Sequence, residues 1–375
     1  VGRLAGAGLL HEAKVESSAE EVPIFRKVDT NQVQTLVDAR VAKHDEEMAS
    51  RGLDHLLQVV PVYTEQGTAP LSLGLLMAYA LEYEGGRLCD KYNFVPMFLT
   101  DETRLAERAT TPGIFYFSNY VWNVDKNLEL SRVAKEANPL NITIHGGPST
   151  PSYEKDCAQF FIDHPHVDVA VRGEGELTFS DLLDKLDGKH SQSLDVLHDV
   201  AGITYRRENG VQRTENRERI ADLNTIPSPF LMGLFDEFGS VSAGAVIESN
   251  RGCPYGCTFC DWGSATLSKV RKFDLERVYQ ELEWSATHQI EGASIADANF
   301  GMLERDVDIT RKIAELKRTY GFPRSVAINY AKNQVRYLRD IIEIMADVDI
   351  LSEGVASLQS TDEQTLEVIQ RSNIK

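Results

Sequence analysis

Three of the five cysteines, Cys253, Cys257 and Cys260, fall within eight residues of the stretch Arg251-Gly252-Cys253-Pro254-Tyr255-Gly256-Cys257-Thr258-Phe259-Cys260-Asp261-Trp262. Three thiols this close cannot pair off into disulfides without leaving one over. Gly252, Pro254 and Gly256 shape a tight loop that can wrap a compact inorganic centre. A structural zinc completes four ligands, yet the first later His or Cys is His288, so zinc is the weaker occupant. A cubane iron-sulfur cluster takes one thiolate per iron. Held by only three, it would keep one iron open to another ligand.

The loop resembles the CxxxCxΦC signature of the radical S-adenosylmethionine (SAM) superfamily, with Phe259 as the aromatic residue before the last cysteine. The resemblance implies a 4Fe-4S cluster on Cys253, Cys257 and Cys260, with SAM bound to the fourth iron through its amino and carboxylate groups. It implies one-electron cleavage of SAM to a 5′-deoxyadenosyl radical, and an external one-electron donor such as flavodoxin or ferredoxin. Phe259 would pack beside the adenine.

A chain of 375 residues with 42% hydrophobic content has enough apolar material for two domains or more. No apolar run reaches the roughly 18 residues of a membrane span, and the opening residues are broken by glycines and followed by charge, so neither a membrane segment nor a signal peptide is expected. Lys plus Arg at 39 against Asp plus Glu at 57 gives a net charge of -18, which disfavours nucleic acid as a partner. Reduced thiolates point to the cytoplasm. Cys89 and Cys157 read as small buried hydrophobes.

Residues 1–55 form a polar preface with Val33, Leu36, Val37 and Val41 at helical spacing. From residue 56 the pattern changes. Apolar runs at 56–62, 95–99, 113–118, 141–145 and 167–171 are too continuous to have one wet face, and amphipathic stretches at 71–84, 125–137 and 153–163 lie among them. This alternation predicts an α/β fold, a doubly wound, Rossmann-like parallel sheet over 56–187, whose ligand would lie beyond the carboxyl ends of the strands. Small and hydroxyl residues gather at those ends: Tyr63-Thr64-Glu65-Gln66-Gly67-Thr68, Ser118-Asn119-Tyr120-Val121-Trp122-Asn123, Gly146-Gly147-Pro148-Ser149-Thr150 and Arg172-Gly173-Glu174-Gly175-Glu176.

Together these loops resemble the cobalamin-binding domain that precedes the radical module in one large SAM subfamily, where GGP-type loops and RGEGE-type turns are typical. The resemblance implies cobalamin contacts at Thr64, Ser118, Asn119, Tyr120, Trp122, Gly146, Gly147, Pro148, Ser149, Gly173, Glu174 and Gly175. No DxHxxG motif is present, so cobalt would lack a histidine from below, its lower face met by residues of the Ser118 to Trp122 loop or by nothing. Glu174 and Glu176 are expected to be structural, not an acid/base pair.

Residues 188–240 read as a linker with a hairpin around Glu208-Asn209-Gly210, stiffened by Pro227 and Pro229. Residues 241–375 predict a (β/α) run, with strands at 243–249, 292–297, 325–329 and 350–358 and helices at 274–287, 305–320 and 333–345. The resemblance implies a six-stranded partial barrel; four strands fit, so the barrel is expected to be incomplete at the C-terminus. Asp297 and Asn299, in Ala296-Asp297-Ala298-Asn299-Phe300, stand where the family receives SAM's amino group, in a D-x-N-F variant of the usual GGE form. Asn329, Ser357 and Gln359 fit contacts to SAM's carboxylate or ribose. Lys269 and Arg271 are either counterions to that carboxylate or an exposed basic loop.

The reading that unites both modules is a cobalamin-dependent radical SAM methyltransferase acting on an unactivated carbon, or on phosphorus, of a small-molecule or peptide substrate. A radical cyclisation or rearrangement with the same cofactors is the first alternative. A non-catalytic corrinoid- or metal-binding regulatory module is the second.

Overall fold

The computed structural model describes residues 30–64, 68–96, 98–99, 101–189, 193–239, 244–260, 269–331, 335–355, 357 and 359–371. Glu65, Gln66 and Gly67 of the first expected ligand loop, Asp261 and Trp262 after the last cysteine, and residues 1–29 of the preface lie outside them.

The first sheet is built on β1 (Leu57–Tyr63), whose seven residues are all buried because it has neighbours on both sides. It pairs in parallel with β2 (Tyr92–Phe94), β3 (Phe98–Leu99) and β4 (Gly113–Ser118), and the sheet continues through β5 (Ile142–Gly146) and β6 (Val169–Val171). Of the run expected as a strand at 95–99 only Phe98–Leu99 is strand, and β2 lies just ahead of that run. Pro96 lies between β2 and β3 and has no amide hydrogen to continue a ladder. Helices α1 (Thr30–Ser50), α2 (Leu71–Glu82), α3 (Glu102–Arg108), α4 (Val124–Ala137), α5 (Glu154–Asp163) and α6 (Glu176–Leu186) accompany these strands. The preface helix α1 buries Val33, Val37 and Val41, and Arg108 grips its Asp45 at 2.5 and 3.1 Å. α3 has no counterpart in the sequence reading. It is short and polar, and its start is fixed by Asp101, which accepts from the Arg104 amide at 3.0 Å.

The hairpin expected in the linker forms as β7 (Ile203–Arg207) and β8 (Gly210–Arg213), and it is not free-standing. β7 pairs antiparallel with β6, so the sheet order is β2-β1-β4-β5-β6-β7-β8 with β3 beside β1. Arg172, at the end of β6, locks the join by donating to Thr204 Oγ1 at 2.9 Å and to the Thr214 carbonyl at 2.7 Å.

After the short α7 (Asp236–Gly239), the second half alternates β9 (Gly244–Ile247), α8 (Leu275–Thr287), β12 (Gly292–Phe300), α9 (Glu304–Tyr320), β13 (Ser325–Tyr330), α10 (Val335–Ala346) and β14 (Leu351–Val355). The four strands are parallel in the order β14-β13-β12-β9, the expected (β/α) run. β12 runs three residues past its expected end, and carries Asp297 and Asn299 within it. Two-residue strands β10 (Asn250–Arg251) and β11 (Arg271–Lys272) pair antiparallel and close the base of the cysteine loop, and α11 (Glu363–Val368) follows the last strand. One contiguous apolar core runs under both sheets, from Val59 and Phe115 to Phe230, Trp284 and Ile295. Among the described residues no helix is long and apolar enough to cross a membrane.

At the carboxyl edge of the first sheet, the loops after β4 and β5 are stitched by Asn119 N donating to the Gly146 carbonyl at 2.7 Å and Ser149 N donating to the Asn119 carbonyl at 3.0 Å. Gly147 sits in that crossing with φ +91, where a Cβ would come within 2.7 Å of the Asn119 carbonyl oxygen. Gly147→Ala is therefore expected to cost more than about 1 kcal/mol in urea unfolding, from the positive φ alone, with the backbone clash adding to it.

Candidate active site

β9 delivers the cysteine loop at its carboxyl end, the end at which parallel α/β folds place chemistry. Ser249 and Asn250 are held there by Asp297 of β12. Its Oδ1 accepts from the two backbone amides at 2.8 and 3.1 Å, and its Oδ2 accepts from Asn250 Nδ2 at 2.6 Å and from the Ser249 hydroxyl. Asp297 is sealed from solvent, and burial pushes its carboxyl up to about 7 against those hydrogen bonds. An ammonium contact from this position would have to share oxygens already occupied by the loop.

The three cysteines are reduced thiols outside any disulfide. Cys257 is buried, while Cys253 and Cys260 are half-buried. Asn299 Nδ2 donates to Cys253 Sγ at 3.2 Å, and Arg371 Nη1 donates to Cys257 Sγ at 3.5 Å. Among the described residues, no group of three or more His, Cys, Asp or Glu side chains is preformed around a single point for a metal ion. Three thiols on one loop, with N–H donors aimed at two of the sulfurs, suit an iron-sulfur cluster, where each thiolate takes a different iron and hydrogen bonds to sulfur are part of the site.

Two arginines flank this loop and neither is free for a ligand. Arg251 Nη2 reaches Glu176 at 2.6 Å, and its Nε and Nη2 reach Glu248 at 2.9 Å each. Arg271 forks onto Glu174, with Nη1 at 3.0 Å, and also donates to the Ile220 carbonyl. Glu174 additionally accepts from the Ile220 amide at 2.8 Å. Burial opposes ionisation of Glu174, but Arg271 and that amide outweigh it and hold its carboxyl below the usual range. Burial pushes Glu248 the other way, up, despite Arg251. Glu174 and Glu176, expected to be structural, bind the turn after β6 to both ends of the cysteine loop. Arg271, expected as a SAM counterion or an exposed residue, is largely buried and paired with Glu174; Lys269 is exposed.

The other expected SAM residues lie along the carboxyl edge of the second sheet. Asn329 is near the end of β13, paired in register with Val355, and half-buried. Ser357 and Gln359 follow β14; the Ser357 carbonyl is taken by Arg371, and Gln359 is exposed with φ 67. Phe259 is 51% exposed on the cysteine loop.

At the first sheet's edge, Ser118 and Asn119 turn inward. Ser118 Oγ accepts from Ser72 at 2.9 Å, and Asn119 Nδ2 donates to Thr150 Oγ1 at 3.0 Å beside the His145 ring. Burial drives that imidazole down to about 3, which keeps it neutral. Thr64 is half-buried and Pro148 exposed. Tyr120 and Trp122 stack at 4.7 Å, and Val121 and Trp122 are 82% and 67% exposed. Gly173 has φ +77 and open space where a Cβ would stand, while a Cβ on Gly175 would meet Leu76 at 2.9 Å. Exposed apolar groups beside bare backbone suit a broad, partly apolar ligand such as a corrin.

The sequence reading missed Ser249, Asn250, Glu248 and Arg371. Their partners are 48, 47 and 114 residues away for Ser249, Asn250 and Arg371; only the Glu248–Arg251 spacing of three had a local signal.

Two measurements check this geometry. Arg251→Met strands two carboxylates in a largely buried place, and is expected to cost about 3 kcal/mol in urea unfolding. Asp297 holds its proton more tightly in the folded chain than in the unfolded one, where aspartate titrates near its ordinary value of about 3.9. Its contribution to stability is full below that value and is lost as pH rises through about 7. Asp297→Asn lacks that proton, so its stability deficit against the unaltered protein is expected to narrow from about pH 5 to about pH 8.

No family model matches the chain. It is 38% identical over 315 residues to the 2-(S-pantetheinyl)-carbapenam-3-carboxylate methyltransferase of Streptantibioticus cattleyicolor, an alignment covering 81% of this chain and 45% of that protein. It is likewise 38% identical over 315 residues, with 81% and 45% coverage, to the cobalamin-dependent radical SAM methyltransferase TokK of Streptomyces tokunonensis. Its fold is similar to that of the cobalamin-dependent S-adenosylmethionine radical enzyme OxsB solved with aqua-cobalamin and S-adenosylmethionine bound, at TM-score 0.60 and 19% identity over 85% of this chain and 46% of that one. The chain thus spans under half the length of these curated relatives. With the CxxxCxΦC loop at the end of β9, the GGP and RGEGE loops on the first sheet and this identity to named relatives, the chain belongs to the family of radical SAM enzymes that carry a cobalamin-binding domain.

Proposed function

We propose that the protein is a cobalamin-dependent radical SAM methyltransferase that methylates an unactivated carbon, or phosphorus, of a small-molecule or peptide substrate. One observation carries the reading: Arg251 and Arg271, at the two ends of the cysteine loop, grip Glu176 and Glu174 of the turn on the first sheet's carboxyl edge, so the two cofactor surfaces adjoin. Relatives named methyltransferases support methyl transfer over cyclisation.

In this reading Cys253, Cys257 and Cys260 hold a 4Fe-4S cluster. Phe259, Asn299, Asn329, Ser357 and Gln359 receive SAM, with Asp297 fixing the loop from behind. Cobalamin lies along Thr64, Ser118, Asn119, Tyr120, Trp122, the Gly146 to Ser149 loop and the Gly173 to Gly175 turn. When bound, these groups supply the radical and the methyl carrier, while the protein orients them and excludes water. Asn119 and Gly147 keep two loops of the corrin edge in register, and the exposed ring of Trp122 covers apolar surface. Electrons come from an external carrier.

Anaerobic protein reconstituted with iron, sulfide, SAM and methylcobalamin and supplied with a one-electron reductant is expected to retain corrinoid and to form 5′-deoxyadenosine and S-adenosylhomocysteine with a competent acceptor. Detecting neither 5′-deoxyadenosine nor bound corrinoid would end this reading; 5′-deoxyadenosine without S-adenosylhomocysteine would transfer it to the cyclisation alternative. Cys257→Ala is expected to lose iron loading and SAM cleavage while keeping corrinoid.

A further inference from the structure

Cys257 is the most deeply buried of the three thiols, and the stretch that follows β14 is built against it. α11 begins at Asp362, which accepts from the Thr365 amide at 2.7 Å. The chain then turns so that the Ile369 carbonyl accepts the Thr258 amide at 3.1 Å, and the Arg371 amide bonds back to the Leu366 carbonyl at 2.8 Å. Arg371 is thereby aimed at the loop. One arm of its guanidinium donates to the Ser357 carbonyl, and the other donates to Cys257 Sγ at 3.5 Å. From β12, Asn299 offers Cys253 Sγ a neutral donor at 3.2 Å.

A cluster that accepts an electron gains negative charge, shared with its coordinating sulfurs. A permanent cation in hydrogen-bond contact with one of those sulfurs stabilises the reduced form more than the oxidised form, and so raises the potential. The neutral amide of Asn299 acts in the same direction with less force. The surroundings are otherwise unhelpful to reduction. The chain's net charge is -18, and the carboxylates Glu174, Glu176 and Glu248 stand on the two arginines at the loop's ends. Arg251 and Arg271 are spent on those carboxylates, whereas Arg371 is directed at a sulfur.

We propose that Arg371 sets the reduction potential of the cluster by donating to the Cys257 sulfur, a positioning and tuning role that rests on the cluster assigned above. Arg371→Gln removes the cation and leaves the backbone bond between Ile369 and Thr258 in place. Arg371→Lys keeps the charge, and Asn299→Leu removes only the neutral donor.

The test is a redox titration of anaerobically reconstituted protein without SAM, following the reduced cluster by electron paramagnetic resonance with iron counted in parallel. Arg371→Gln is expected to keep its iron and to be about tenfold less reduced at a fixed poise, a midpoint about 59 mV more negative for one electron. Arg371→Lys should recover most of that shift, and Asn299→Leu should show a smaller shift of the same sign. An unchanged midpoint in Arg371→Gln at full iron content overturns the proposal. So does loss of iron with the residual cluster at its original midpoint, which would assign Arg371 to loop folding. Absence of any cluster in the unaltered protein would fail the functional reading itself, and this proposal with it.

Discussion

The charge arrangement at the mouth of the cysteine loop governs the rest. Two guanidiniums face three carboxylates in a region with little access to water. Neither set could be buried without the other, since an unpaired ion in such a place loses its hydration with nothing in exchange. The carboxylates are one too many. Burial raises Glu248, and Glu176 Oε2 is a buried oxygen with no hydrogen-bond partner among the described residues, the marks of a site that trades strict neutrality for geometry. That geometry is the return: Glu174 and Glu176 come from the turn after β6, and the arginines from the ends of the cysteine loop, so the ion pairs fix where the second sheet's chemistry faces the first sheet's edge.

A second buried carboxylate does the corresponding work within the second half. Asp297 gives all of its accepting capacity to Ser249 and Asn250, just before β10 and β11 close the loop. The loop is therefore held at its base by a strand pair, at its entry by an acid and at Thr258 by the Ile369 carbonyl. None of these contacts uses a cysteine side chain.

Much of this was legible in the chain. The alternation of apolar runs and amphipathic stretches gave the parallel strands and most helices, because backbone periodicity is a local property. The cysteine spacing gave the loop. What stayed hidden depends on encounters between distant residues. Arg271 and Glu174 are 97 residues apart, and nothing near Arg271 distinguishes a buried partner from a solvated cation. The hairpin at Glu208-Asn209-Gly210 was legible as a hairpin, but its attachment to β6 follows from the Arg172 and Thr204 contact across the join. The strand at Tyr92–Phe94 was passed over because Asn93 interrupts its apolar residues, while the apolar run that follows it drew the expected strand past Pro96, which cannot continue a ladder.

The unbroken apolar interior beneath both sheets has a dynamic consequence. With one apolar cluster shared between them, the strands of one sheet cannot part without exposing side chains that belong to the other, so the slow openings that let deep amides exchange with solvent are shared by both halves. Larger motion would then fall to the loops above the strands, and the carboxyl edges of the two sheets would keep a constant spacing.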